Sequence, residues 1–318
     1  HVHLHHTFRV KAGTIFGFAG GLKALGLALF LAAGCGRGPG DEETRHRFTA
    51  MGTLVDVSIW GVPPAEAEAA AREVETLFHE LHRAWDPWGE GELGRLNRAL
   101  AAGEPVRPEP DLAALLEEAA RLTRASDGLF DPAIGKLVRL WGFSSEEQRP
   151  TAPPPAEEIA ARLAATRPLH ELIGADGVVS GPPGAQVDLG GFLKGVAVDR
   201  GIALLRARGI ENAIVNAGGD LRAIGRRGPR AWRIGIRAPR DTRILAAIET
   251  GGDDAVFTSG DYERYFDYQG RRYHHILDPR DGYPTQGLAS VTVLHANAGL
   301  ADAAATALLV AGSCAASR

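Results

Sequence analysis

The chain has 318 residues, of which 45% are hydrophobic and 23% charged, as in an ordinary globular protein. This length suits one large domain or two modest ones, so a sizeable core is available. The formal net charge is -4, and no basic patch with interleaved aromatic residues occurs, so the sequence gives no electrostatic case for nucleic-acid binding.

A short apolar segment, Ala24–Leu31, follows a positively charged stretch and precedes the small residues Ala33 and Gly34, directly before Cys35. This order is the anatomy of a secretory signal, and the segment is too short to span a membrane well. A cysteine directly after small residues resembles a bacterial lipobox, in which that cysteine is lipidated and becomes the new N-terminus. A plain signal peptide or a short anchor helix is the alternative.

We therefore predict a lipoprotein signal peptide over residues 1–34, a tether over 35–47 and a folded domain over 48–318. Export is expected to leave the protein on the periplasmic face of the membrane, anchored through lipid on Cys35. The second cysteine, Cys314, then has no partner for a disulfide.

Hydrophobic periodicity predicts the elements of the folded part in chain order. A strand is predicted over Phe48–Trp60 and an amphipathic helix over Ala65–Trp85. Further helices are predicted at Asp111–Ser126, with Asp111 as the N-cap, at Phe192–Arg208 and at Ala301–Val310. A strand pair is predicted at Val178–Asp188, and single strands at Asn212–Gly219, Trp232–Ile236, Ala246–Thr250, Ala255–Ser259 and Ser290–Leu294. Strands and helices come in mixed clusters without strict alternation, so the fold class is predicted to be α+β.

The segment VDLGGFLKGVAVD, Val187–Asp199, has the composition of a phosphate-binding corner. Gly190 and Gly191 allow a sharp turn and a close approach of the backbone to a ligand. The N–H groups and the positive dipole end of the helix that follows favour an anion, and Lys194 adds an ammonium one turn later. The segment matches neither the GxxxxGK[ST] loop nor the GxGxxG fingerprint.

Two other segments carry residues suited to chemistry. Asp302 and Thr306 are four residues apart on a predicted helix, so they share a face and can offer hard oxygen ligands to Mg²⁺; a capping aspartate and a threonine bonded to its own helix are the alternative. His275 is a candidate general base, oriented by a carboxylate such as Asp278. Ser259 can present a hydroxyl to a phosphate, or simply end a strand.

Several segments, taken together and in order, match one known family over about Phe48 to Gly312. They are the MGT at Met51, WDP…LGRLN near Trp85, GLFDPAIGKLVRLWGF, VDLGGFLKGVAVD, NAGGD, TSGDYERYF, HHILDPRDGYP and ADAAATALLVAG. On these residues the chain resembles the ApbE family, the FAD:protein FMN transferases. The resemblance implies an ApbE-like, T-fold-related arrangement of mixed sheets and packed helices, with the FAD site in a cleft between two lobes.

The resemblance also implies a reaction and its residues. FMN passes from the substrate FAD to a Thr or Ser hydroxyl of an acceptor protein through a phosphoester bond, with Mg²⁺ bound and AMP released. His275 is the implied catalytic base. The implied metal positions are Gly191, Asp302 and Thr306. The positions assigned to FAD are Met51, Trp85, Phe130, Asp131, Pro132, Asp188, Lys194, Ser259 and Ile276.

The segment around Trp85 is longer than the usual family segment, so the flavin-stacking residue is left open. Two other functions remain open from the sequence: a metal-dependent FAD pyrophosphatase that yields FMN and AMP, and a non-catalytic FAD-binding lipoprotein. The expected partners are the membrane, through the lipid anchor, and an acceptor protein such as a respiratory redox subunit.

Overall fold

The computed structural model describes residues 42–144 and 150–312. In chain order the strands are β1 (Glu43–Ala50), β2 (Thr53–Trp60), β3 (Ala213–Ala217), β4 (Asp220–Ile224), β5 (Arg233–Arg237), β6 (Ile244–Glu249), β7 (Asp253–Gly260), β8 (Tyr265–Tyr268), β9 (Arg271–His274) and β10 (Ser290–His295). The helices are α1 (Pro64–Trp85), α2 (Glu92–Ala102), α3 (Pro110–Ala125), α4 (Gly135–Leu140), α5 (Ala156–Ala164), α6 (Leu169–Leu172), α7 (Leu193–Ala207) and α8 (Ala298–Ala311). The predicted signal peptide, the lipidation site Cys35 and Cys314 lie outside the described residues.

A six-stranded sheet forms the centre of the described fold, in the order β1-β2-β3-β4-β7-β10. Helices α1, α7 and α8 pack on it, and the alternation along β2 sends Val55, Val57 and Ile59 into the core with no exposed surface. Two separate hairpins, β5-β6 and β8-β9, complete the strands. The α+β class is confirmed, whereas the pairs between these strands are all antiparallel and not mixed.

The strand predicted over Phe48–Trp60 is two strands joined by a tight turn. Met51 and Gly52 have φ angles of 52° and 68°, the double positive φ of a type I′ hairpin turn. Met-Gly is not one of the dipeptides that signal this turn, so the hairpin was missed. β1 also begins at Glu43, inside the segment that the sequence predicted as tether.

Two other local predictions were wrong. The segment Val178–Asp188 forms only isolated bridges, because Pro182 and Pro183 interrupt it and prolines donate no ladder hydrogen bond. Helix α3 begins at Pro110 with Glu109 as its N-cap, so Asp111 lies inside the first turn and does not cap the helix.

The registers of the central sheet bring several turns to one end. The Met51–Gly52 turn, the Gly218–Gly219 turn and the last residues of β7 all lie at this end, since each neighbouring pair is antiparallel. No helix within the described ranges is long and apolar enough to cross a membrane.

Candidate active site

The glycine corner is held to the loop that precedes α4. The Asp188 N–H donates to the carbonyl of Pro132 at 2.8 Å, and Asp188 Oδ1 accepts the Gly190 N–H at 2.8 Å. Burial raises the pKa of Asp188, while the Gly190 N–H and the nearby charge of Arg264 oppose that rise. The carboxylate thus shapes the turn from which α7 begins.

Lys194, in the first turn of α7, is paired with a residue that the sequence did not assign to the site. Its ammonium donates to Asp220 Oδ2, and Asp220 Oδ1 accepts the Thr258 N–H at 2.8 Å. Burial opposes the charge of Lys194, but the carboxylates of Asp220 and Asp302 outweigh it and raise the pKa of the ammonium. The lysine therefore stays cationic near neutral pH, which suits a phosphate ligand.

The three predicted metal positions come together at the face of α8. A Cβ placed on Gly191 would lie 3.1 Å from Thr306 Oγ1, and Asp302 Oδ2 accepts the Gly195 N–H at 3.0 Å. The Ser259 hydroxyl lies 3.3 Å from that of Thr306. Burial and the charge of Asp220 raise the pKa of Asp302 to about 7, against the effect of Lys194.

This donor set fits Mg²⁺. It offers one carboxylate, hydroxyl oxygens and the backbone at Gly191, which are hard ligands of the kind that Mg²⁺ takes together with water and substrate phosphates. Across residues 42–144 and 150–312, no cluster of three or more His, Cys, Asp or Glu side chains is arranged to hold a metal. A cation here would therefore share its shell with substrate oxygens and would not sit in an all-protein cage.

Helices α7 and α8 can approach this closely because residue 195 is glycine. A Cβ there would lie 2.3 Å from the carbonyl oxygen of Ala298. Asp199 joins the same helices, since its Oδ2 accepts the N–H groups of Ala298 at 2.9 Å and Gly299 at 3.1 Å. Arg222 in turn donates to Asp199 Oδ1 at 2.5 Å. We call the contact of Gly195 and Asp199 with the start of α8 the α7–α8 junction.

His275 follows β9 and is held by a backbone carbonyl. The backbone N–H of His275 donates to the Arg264 carbonyl oxygen at 3.0 Å, and the ring Nδ1 of His275 lies 3.3 Å from the same oxygen. Donation from Nδ1 leaves Nε2 as the acceptor nitrogen. Desolvation by the surrounding protein and the positive charge of Arg264 hold the pKa of His275 well below its usual value, so the ring is neutral and able to accept a proton.

The expected orientation of His275 by Asp278 is wrong. Asp278 accepts from the Arg280 guanidinium, with its Oδ2 at 2.6 Å from Nη2, and from the Arg280 N–H at 2.9 Å. The Asp278 carboxylate is therefore engaged by hydrogen bonds within its own turn and does not orient His275.

Phe130 lies in the expected wall beside the glycine corner. It is 4% exposed, and its ring edge would be 3.6 Å from a Cβ on Gly191. Asp131 Oδ1 accepts the N–H groups of Ala133 and Leu169, so this oxygen supports the loop itself. Ile276 is buried against Leu309 on α8.

Trp85 is placed differently from its implied role. It is 1% exposed, and the Arg200 guanidinium lies 4.7 Å from the ring centroid. In this arrangement the indole has no free face for a flavin. Met51 lies in the β1-β2 turn, partly buried against the core, at the same end of the sheet as Asp220 and Ser259.

The sequence missed Asp220, Arg264 and Asp199 as parts of the site. NAGGD was matched to the family as a segment, but its aspartate was not linked to Lys194. Arg264 acts on His275 through its backbone carbonyl, for which a sequence carries no signal.

An α+β fold with a cationic glycine corner, an oxygen-rich helix face and a neutral imidazole defines an enzyme that handles a phosphate-bearing substrate. Comparison with known proteins identifies the family. The model of the ApbE family matches residues 51–318, and the chain therefore belongs to the ApbE family.

Relatives of known name agree. A FAD:protein FMN transferase of Rhodobacter capsulatus is 42% identical over 298 residues, covering 91% of this chain, and the chain spans only 55% of that relative. A FAD:protein FMN transferase of Vibrio cholerae is 36% identical over 290 residues, covering 90% of this chain and 86% of the relative.

Solved structures show the same fold. The ApbE protein of Thermotoga maritima matches with a TM-score of 0.78 and 33% identity, over 86% of this chain and 88% of that one. The flavin transferase ApbE of Vibrio cholerae matches with a TM-score of 0.75 and 34% identity, again over 86% and 88%.

Proposed function

We propose that this chain is a FAD:protein FMN transferase, which moves FMN from FAD to a Thr or Ser hydroxyl of an acceptor protein and releases AMP. One observation carries the proposal. Gly191 meets Asp302 and Thr306, which lie more than a hundred residues further along the chain, beside Lys194, and the relatives of this chain bear that name.

The residues divide the chemistry among themselves. His275 Nε2 removes the proton from the acceptor hydroxyl, whose oxygen then attacks the phosphorus on the FMN side of the pyrophosphate. A new P–O bond forms as the bond to the AMP oxygen breaks, and AMP departs with that electron pair. The Lys194 ammonium stabilises negative charge on the phosphate oxygens, and Phe130 packs beside the glycine corner that receives them.

We further propose that Mg²⁺ binds through the Gly191 backbone, Asp302 and Thr306. Bound there, it would neutralise the pyrophosphate and help AMP to leave. The burial of Asp302 supports this assignment, because desolvation raises the pKa of its carboxyl in spite of the Lys194 charge and the Gly195 N–H, and a divalent cation would favour its charged form.

Incubation of the protein with FAD and Mg²⁺, with and without a protein bearing a threonine acceptor segment, tests the proposal. A fluorescent acceptor band in a denaturing gel, with one AMP per flavin transferred, is the expected result. AMP and free FMN in the absence of acceptor would instead support the pyrophosphatase. Tight FAD binding with no AMP over hours would support a non-catalytic flavin carrier, although binding alone requires no base such as His275.

We also propose export and lipidation at Cys35, on the sequence pattern alone, so that enzyme and acceptor meet at the membrane. A respiratory redox subunit is one such acceptor class. Metabolic labelling with a fatty acid should mark the full-length protein and fail to mark Cys35→Ala. Equal labelling of both proteins would contradict the assignment.

A further inference from the structure

Asp220 lies where three elements meet. It opens β4 and its side chain is only 6% exposed. One carboxylate oxygen accepts the Thr258 N–H of β7, and the other accepts from the Lys194 ammonium of α7. A buried carboxylate fixed on both sides can confine a lysine, whose four-carbon stem otherwise samples many positions.

Lys194 has a second carboxylate within reach of its charge. After Asp220, Asp302 is the carboxylate that raises the pKa of Lys194 most, and the charge of Lys194 lowers the pKa of Asp302 in return. Asp302 Oδ2 bonds to the N–H of Gly195, the residue next to Lys194. If the ammonium moved to Asp302, it would neutralise the carboxylate that a cation needs.

We propose that Asp220 is a positioning residue that holds Lys194 away from Asp302 and so keeps Asp302 available to a divalent cation. The inference rests on the proposed function, because it assigns a role within the same FAD and Mg²⁺ site. The two carboxylates then have different roles: Asp220 binds the Lys194 ammonium, and Asp302 binds the cation.

Asp220→Asn removes the negative charge of residue 220 but keeps its contact with β7, because the amide oxygen can still accept the Thr258 N–H. We expect the half-saturating Mg²⁺ concentration for transfer to rise by about tenfold or more, as is usual when a residue supporting a metal ligand is lost. A readout independent of turnover is the Mg²⁺-dependent rise of the melting temperature at saturating FAD, which should need correspondingly more Mg²⁺.

The decisive variant is Lys194→Met combined with Asp220→Asn. Without the competing ammonium, the Mg²⁺ response of the melting temperature should return toward that of the wild type, even though FAD binds more weakly. A purely structural role for Asp220 predicts no such rescue. Asp278→Asn is the matched control, since Asp278 is also buried and paired with a cation, Arg280, but its side chain bonds to neither Lys194 nor Asp302 within the described residues.

Two results would overturn the inference: an Asp220→Asn protein with the Mg²⁺ response of the wild type, or a double variant as weak as Asp220→Asn alone. A wild-type melting temperature that ignores Mg²⁺ would remove the metal site and the inference with it. If Asp220→Asn and its rescue behave as expected while no acceptor is flavinylated, the inference stands and the proposed transfer fails.

Discussion

The two halves of the candidate site are built in different ways. The metal-side half lies deep in the fold: Asp302 is 5% exposed, and at the α7–α8 junction Gly195 lets the two helices touch through their backbones. His275 stands at the open end of the β8-β9 hairpin, partly exposed, and is held by one carbonyl of Arg264. The first half is part of the core, and the second half is attached to it.

This difference has a consequence for mutation. Changes at the junction should disturb folding and chemistry together, because the same contacts serve both. Changes of the His275 ring itself should alter chemistry while leaving the fold intact.

His275→Ala should lower the rate of flavin transfer by about 10²–10⁴-fold, the usual contribution of a general base. FAD affinity and melting temperature should change little, since the ring is partly exposed and bonds to one carbonyl. Timed transfer assays measure the rate, FAD titration measures the affinity, and thermal unfolding measures the melting temperature. The neighbouring His274→Ala is an informative contrast, because His274 is 2% exposed and should cost stability. Unchanged transfer by His275→Ala would remove it as the base.

Gly195→Ala should damage both fold and chemistry. The added Cβ would lie 2.3 Å from the Ala298 oxygen, so the helices must separate. Overpacking of this kind costs about 1–3 kcal/mol of unfolding free energy. A displacement near 1 Å of Asp302 should slow transfer by about 10²-fold. Denaturant unfolding and transfer rates test both parts.

Gly201→Ala is the matched control on the same helix. Its Cβ would meet only side-chain atoms, the nearest being Val74 Cγ1 at 3.3 Å, which can shift. It should lose less stability and keep most of its transfer activity. If Gly195→Ala and Gly201→Ala lost the same stability and the same transfer activity, the close α7–α8 contact would not be what positions Asp302.

Arg264→Met should change the pH dependence of transfer. The pKa of His275 lies well below 6.5, first through desolvation and then through the charge of Arg264, so activity is lost only as pH falls through that low value. Removing the guanidinium raises the pKa of His275, and the acidic limb of the pH–rate profile should move to higher pH. His274 and Lys194 also lower this pKa, so the limb should remain below its unperturbed position.

Arg271→Met is the control, because Arg271 lies over Tyr273 in the same hairpin and does not contribute to the pKa shift of His275. An identical acidic limb in wild type and Arg264→Met would contradict the electrostatic assignment. NMR titration of the His275 ring without FAD separates this effect from any change in substrate binding.

The sequence predicted the α7–α8 half better than the His275 half, for a physical reason. Helix periodicity placed Asp302 and Thr306 on one face, and the glycine corner predicted the start of α7. Partners across the sheet were missed: Asp220 meets Lys194 only because β4 pairs with β7 beside α7. The orientation of His275 was assigned to a carboxylate, whereas a main-chain oxygen provides it, and every residue type carries that atom.

Trp85→Phe should have the smallest effect, and it tests whether Trp85 has the FAD-binding role that the family resemblance implies. The resemblance places Trp85 at the flavin, but here the ring is buried with Arg200 over it, and its Nε1 has no hydrogen-bond partner among residues 42–144 and 150–312. Phenylalanine keeps an aromatic ring for Arg200 and removes the unsatisfied N–H. Because these gains oppose the lost volume, the unfolding free energy should fall by less than about 1.5 kcal/mol. FAD affinity, measured by titration, should stay within about twofold. A loss beyond tenfold with stability preserved would mean that Trp85 turns toward the flavin when FAD binds, and that the core around this ring rearranges on binding.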